Sequence, residues 1–246
     1  MRHFPLILAS CVLATAAACG DGTPEVRMAL AVRGTNANGL SAAVTATAGA
    51  GGLALEDGAN TILITSAEIV LEEIELKRTE ASACPEVGDA DDDSCEKFET
   101  GPRLVALPLD GKVTHELATV VPTGSYDELE FEIHKLEGSG GSDILRDRPD
   151  LAGLSMRVAG TYNGTPFVFV SEESQELELE LSPPLVVDAD GSDVNLTLSV
   201  DLAAWFTTGA GLLVNPTAQS SADVIDNNVD QSFECFEDDD HDGSDD

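Results

Sequence analysis

The sequence predicts an all-β protein: two antiparallel sheets packed face to face as a β-sandwich of nine or ten strands. Three observations carry that prediction. Apolar residues recur at every second position in several stretches, as in Leu129, Phe131 and Ile133 set between Glu128, Glu130 and Glu132, the period of a strand buried on one face. Turn dipeptides separate the stretches, above all Asp110-Gly111 and Asn163-Gly164, which tolerate the positive φ of two-residue hairpins. No strand-helix-strand alternation interrupts the series, and strands with one apolar face bury it most simply against a second sheet. A closed barrel is the second solution.

Before the first strand come Arg2, an apolar run over residues 6–18, and Ala16-Ala17-Ala18-Cys19, followed by the polar Gly20-Asp21-Gly22. A basic start, an apolar core and small residues before a cleavage point define an export signal. The run is shorter than the roughly 20 residues that span a bilayer. The segment resembles the signal of a bacterial lipoprotein, with residues 1–18 removed, Cys19 lipidated and residues 19–24 a tether. Leu8-Ala9-Ser10-Cys11 is a rival site, but apolar chain follows Cys11 and too short a core precedes it. The resemblance implies a lipid bilayer as partner, through acyl chains that gain about 0.8 kcal/mol per buried methylene. It also implies the bacterial cell envelope as location. Gly20 stands where some inner-membrane lipoproteins carry Asp, which favours the outer membrane, facing the periplasm or the surface.

Residues 25–33 read as the first strand, with Val26, Met28, Leu30 and Val32 on one face. Residues 34–60 are rich in Gly, Ala, Asn and Thr and read as loop, with a weak strand at 42–48. Residues 61–77 form the longest strand. Ile69 and Leu71 are out of phase with Ile74 and Leu76, so a β-bulge is expected at Glu72-Glu73. A helix over 66–77 is the competitor, and β-branched content decides for strand. Residues 103–109 and 112–117 read as a hairpin about Asp110-Gly111. Residues 126–136 follow the turn Pro122-Thr123-Gly124-Ser125. Residues 154–162 and 166–171 read as a hairpin about Asn163-Gly164. Residues 175–181 alternate again, ending at Pro183-Pro184. Val194, Leu196, Leu198, Val200 and Leu202 form the last apolar face, leading to Trp205. The single domain is therefore expected over 25–216, with 217–246 a flexible acidic tail, disordered because it has too little apolar surface to fold.

Composition narrows the partners. The 246 residues hold 46 acidic and 12 basic side chains, for a formal charge of −34; loss of residues 1–18 removes only Arg2 and takes this to about −35. Nucleic acid and anionic lipid head groups are excluded as partners, since both need positive charge. Cations or a basic partner are permitted. Of the five cysteines, Cys84 and Cys95 flank an acidic loop, and an oxidising compartment would allow a disulfide between them worth roughly 2–4 kcal/mol. Cys235 is left either free or paired between molecules.

Pro122-Thr123-Gly124-Ser125-Tyr126 leading into Leu129-Glu130-Phe131-Glu132-Ile133, and Val194-Asn195-Leu196-Thr197-Leu198-Ser199-Val200-Asp201 before Trp205, resemble uncharacterised bacterial β-sandwich lipoproteins that carry a domain of unknown function. The Gly-x-Tyr entry to a strand is also similar to transthyretin-like, or prealbumin-like, modules. The resemblance covers residues 61–215. It implies an immunoglobulin-like or transthyretin-like sandwich at the cell envelope and no catalytic residues.

Three acidic clusters are candidate cation sites. Asp238, Asp240, Asp242 and Gly243 spell the D-x-D-x-D-G opening of a calcium loop, whose alternate oxygens surround a hard cation. The loop's twelfth-position glutamate is missing, and a solvated tail is the simpler reading. Asp188, Asp190 and Asp193 surround Gly191, where turn chemistry alone explains the residues. Asp89, Asp91, Asp92 and Asp93 lie inside the cysteine loop. His115 and His134 are expected to face solvent, and their spacing supports no zinc site. No nucleophile elbow, H-E-x-x-H or phosphate loop occurs. The expected protein is thus a monomeric, membrane-tethered lipoprotein with a non-catalytic binding or structural role and no required cofactor. Its partner would be an unidentified envelope protein or ligand. The alternatives are a Ca2+-dependent adhesion or ligand-binding module and an envelope hydrolase with an unrecognised site.

Overall fold

The alternating stretches become strands that pair around one long central strand. The structure is a computed structural model that describes residues 25–32, 44–49, 51–79, 101–138, 141–188 and 194–238. Among these residues the strands are β1 (Glu25–Val32), β2 (Thr45–Gly49), β3 (Gly52–Glu56), β4 (Thr61–Arg78), β5 (Arg103–Ala106) and β6 (Thr114–Val120). They continue with β7 (Gly124–Ile133), β8 (Met156–Tyr162), β9 (Thr165–Ser171), β10 (Gln175–Val187), β11 (Val194–Val200) and β12 (Phe233–Glu237). Three short helices interrupt them: α1 (Ser142–Asp147), α2 (Leu202–Trp205) and α3 (Ala222–Val229).

The strands form two sheets, as expected of an all-β sandwich-like fold. One holds four strands in the order β12-β11-β1-β6, and the other holds eight. In the larger sheet β4 is the spine. Its 18 residues pair with β3 and β5 along one edge and with β8 and β7 along the other. Beyond β7 lies β10, beyond β8 lies β9, and beyond β3 lies β2. All these pairs are antiparallel; β1 and β11 run parallel in the smaller sheet.

The expected bulge is present. The β4–β7 register shifts between Glu72 and Glu75, and Glu73 adopts a φ of 51°. The extra residue restores the phase, so Ile69, Leu71, Ile74 and Leu76 all join one core. The Asn163-Gly164 hairpin is also present, with φ of 50° and 78° at the two turn residues and Tyr162 paired to Thr165. Asn163 does more than turn the chain: its Oδ1 accepts from Thr61 N at 2.8 Å, which ties the turn to the start of β4.

The core lies between the sheets. Phe131 of β7 meets Phe233 of β12 edge to face at 5.3 Å, and Phe167 and Phe169 of β9 pack on Phe206. Trp205 is fully buried and its Nε1 donates to Ser232 Oγ at 2.6 Å. Tyr126, also buried, donates its hydroxyl to the Pro122 carbonyl at 2.6 Å, the reach-back of a tyrosine corner. On the outer face of the larger sheet, α1 and the turn at Pro149–Leu151 cover Val70 with Leu136 and Leu151.

Four expectations are corrected. Asp110-Gly111 turns the chain, with Asp110 accepting from Lys112, but makes no hairpin. β5 pairs with β4 in one sheet and β6 with β1 in the other; turn chemistry sets a local reversal, not the choice of neighbour. Pro183-Pro184 does not end its strand. β10 is an edge strand, where a missing N–H is tolerated, and its pairing with β7 skips from Glu180 to Leu185. Residues 52–56 are a strand rather than loop, hairpinned to β2. Last, residues 217–238 are not a flexible tail. Ile225, Val229 and Phe233 are buried in the core, and β12 pairs with β11. Few apolar residues lie there, but these three face inward, while Val224 stays exposed. Residues 239–246 lie outside the described residues.

Candidate functional site

Among the described residues, the densest gathering of chemistry lies on the outer face of β4, β7 and β10. Strand periodicity sends Phe131 and Ile133 inward and Glu128, Glu130 and Glu132 outward. The register then sets three rows across the strands: Glu72–Glu132–Glu176, Glu75–Glu130–Glu178 and Lys77–Glu128–Glu180. Five of the six cross-strand pairs in those rows join carboxylate to carboxylate. Like charges directly opposite one another are destabilising.

Two basic groups answer part of this charge. Lys77 Nζ bridges Glu128 Oε1 at 2.7 Å and Glu130, and both bonds raise the pKa of its ammonium group. His134 follows β7, its Nδ1 2.7 Å from Glu132 Oε1 and its Nε2 3.7 Å from Glu72 Oε2. The hydrogen bond to Glu132 is the main reason its pKa rises. Glu176 is fully exposed, and neighbouring Glu130 raises its pKa. Oxygens of Glu128, Glu130 and Glu178 come within 4.8 Å of one another. A cleft of about 140 Å³ opens between Glu73, Glu75, Glu130, Glu132 and Glu176.

Chemically, the face can gather oxygens for a hard cation or meet the lysines and arginines of a basic surface. Ser174 Oγ lies 3.4 Å from His134 Nδ1, but that nitrogen is already engaged by Glu132 at 2.7 Å, and Glu72 Oε2 on the Nε2 side stands 3.7 Å away.

No family model, curated protein or solved structure matches the chain.

The residues singled out in the sequence fall elsewhere. Cys19, Cys84, Cys95, Asp190, Asp193, Asp240 and Asp242, with the acidic loop at 89–93, lie outside the described residues. Asp188 is exposed just past β10. Asp238 is a correction. It is buried rather than solvated, accepts from Thr197 Oγ1 at 2.6 Å, and its N–H donates to the Asn195 carbonyl at 3.0 Å. It extends the β11–β12 ladder instead of opening a loop. Cys235 is a free thiol on β12, packed against the core, and burial pushes its pKa up to about 12. Such a thiol is a poor nucleophile. Among the described residues no helix is long and apolar enough to cross a membrane. The glutamate array itself was visible only in pieces: each strand shows its alternation, and the register that stacks the pieces is a tertiary fact.

Proposed function

We propose that this chain is a lipid-tethered, non-catalytic binding protein of the bacterial cell envelope that recognises a basic protein surface through the β4–β7–β10 carboxylate face. The tether rests on the leader segment and Cys19. The binding reading rests on one observation: an array of eight glutamates and one lysine, aligned in register rows at a cost to folding. A partner bearing lysine and arginine relieves that repulsion on binding. The array covers three strands, which suits a macromolecular surface better than an enclosed small molecule.

The test compares two variants of equal charge. One carries Glu130→Gln, Glu132→Gln, Glu176→Gln and Glu178→Gln; the other neutralises four acids elsewhere, at Glu56, Asp127, Asp147 and Asp223. With a lysine-rich peptide as probe, the array variant is expected to lose at least tenfold in affinity while the control loses little. Equal losses would mean that overall charge alone does the binding. Membrane fractionation of Cys19→Ala tests the tether: the variant is expected to leave the membrane fraction, and retention would count against acylation at that residue.

A second reading has its own observation. The oxygens of Glu128, Glu130 and Glu178 can approach one ion, so Ca2+ would bind there in competition with the Lys77 ammonium group. Extracellular calcium modules of this open kind bind at roughly 10⁻⁴–10⁻³ M. A rise in melting temperature with millimolar Ca2+ that Mg2+ does not reproduce, and that Glu178→Gln abolishes, is the expected result. An unchanged melt removes this reading.

A further inference from the structure

One edge of the larger sheet, on the same side of β4 as β7 and β10, is made by β9, which pairs with β8 on one side and with no described strand on the other. Its hydrogen-bond parity follows from the turn. A two-residue hairpin makes Tyr162 and Thr165 a hydrogen-bonded pair, so Phe167 and Phe169 also direct their peptide groups at β8. Val168 and Val170 then direct their N–H and C=O groups outward. Their side chains are exposed too, at 55% and 42%. A short β-branched edge with open backbone groups is a template for another strand.

Charge identifies the strand that fits. In a chain of net charge −34, no charged residue occurs from Val158 through Ser171. This is a place where two copies can approach without setting acid against acid. The edge is also self-complementary. With a twofold axis at Phe169, Val168 faces Val170 of the second copy. Every outward donor and acceptor of the two valines is then used, in four hydrogen bonds. Pro166, which has no N–H to give, falls opposite Glu172, whose own N–H meets the Pro166 carbonyl. An axis at Val168 would instead set Pro166 opposite Val170 and lose two of the central bonds. We propose that two copies of this chain associate through antiparallel β9–β9 pairing centred on Phe169, joining their larger sheets into one continuous sheet. The interface is small, and the two bodies repel at long range. Association is therefore weak and strengthens with salt as that repulsion is screened.

The experiment is sedimentation of the whole chain in detergent, from low protein concentration into the hundreds of micromolar, at about 0.05 and 0.5 M salt. The expected result is a mass that rises toward two chains with concentration, and does so at lower concentration in high salt. Val168→Lys, at an exposed side chain, is expected to keep the melting temperature and hold the mass at one chain. The double variant Val168→Cys, Val170→Cys tests the register, because a hydrogen-bonded pair sets those Cα atoms about 5.5 Å apart, within disulfide reach. It is expected to give an oxidised dimer that neither single variant gives. A single-chain mass under all conditions would assign the edge to some other strand and overturn the proposal. So would a dimer that survives Val168→Lys.

Discussion

At Asp57 one carboxylate serves two distant parts of the chain. Its Oδ1 accepts from Ala59 N at 2.9 Å and Asn60 N at 2.6 Å, closing the β3–β4 turn. Its Oδ2 accepts from Leu213 N at 2.9 Å, 156 positions away. These bonds, led by that to Leu213, lower its pKa to about 2. A carboxylate whose folded pKa is depressed stabilises the fold above its unfolded value and loses that contribution as pH falls. Stability held by Asp57 is therefore expected to fade between about pH 4 and pH 2. Asp57→Ala leaves the donors without their acceptor, and hydrogen bonds to charged groups are worth about 1.5–3 kcal/mol. Denaturant unfolding at pH 7 should show a loss of that order, and the variant's acid limb should be shallower. The role of Asp57 was not legible in the sequence, where it reads as an ordinary turn residue. Its partner at Leu213 belongs to a loop whose position only the folded chain defines. Asn163, by contrast, was legible, because the Asn-Gly pair states its own backbone geometry.

Elements repeat the lesson: local period was readable, neighbour choice was not. The phase break at Glu72-Glu73 announced a bulge, because apolar positions on one face cannot change parity without an extra residue. The left-handed φ of Glu73 costs an L-residue about 1–2 kcal/mol, and glycine avoids it. Glu73→Gly is therefore expected to raise stability by up to about 1 kcal/mol after its own entropy cost, read as a higher melting temperature. No gain would mean that the bulge is held by contacts of the Glu73 side chain. A second irregularity in β4, between Ile64 and Ser66 against β8, was not foreseen. There Gly160 lies so close that a Cβ would meet the Leu63 carbonyl oxygen at 2.1 Å. Gly160→Ala must push two strand backbones apart, so a loss at the upper end of single substitutions, about 3 kcal/mol or more, is expected. A near-neutral melt would show that β8 shifts freely. The glutamate array is likewise a matter of neighbours: alternation is written in each strand, but the rows exist only because β4, β7 and β10 lie side by side.

For the whole molecule, the sandwich-like architecture was legible and its closing element was not. Residues 217–238 carry few apolar side chains, so composition argued for a solvated tail. Yet Ile225, Val229 and Phe233 seal the core, and Asn228 Nδ2 donates to the carbonyls of Ala204, Trp205 and Thr207. A chain ending at residue 216 also strips Trp205 of its Ser232 acceptor. It is expected to lose the cooperative thermal transition, whereas a chain ending at 238 should keep it; a cooperative melt from the shorter chain would contradict the packing. Charge acts at this scale too. Glu176, Asp226 and Asp230 have raised pKa values, the first through Glu130 and the others through burial. His134 is also raised. All four take up protons more readily when folded, so stability grows as pH falls from 8. Asp57 and Glu68, lowered by their hydrogen bonds, reverse the trend at lower pH. Melting temperature is therefore expected to peak on the acid side of neutrality.

The position of β1 has a mechanical consequence. It is the first described element after the proposed anchor, and it sits inside the smaller sheet, between β11 and β6. Interstrand hydrogen bonds lie across the strand axis. A pull transmitted from the membrane along β1 would therefore strain the bonds on both its sides at once, in shear, rather than peel them one by one from a free edge. A body hung from this strand resists tugging by sharing the load, so its grip on a partner need not loosen the strand by which it hangs.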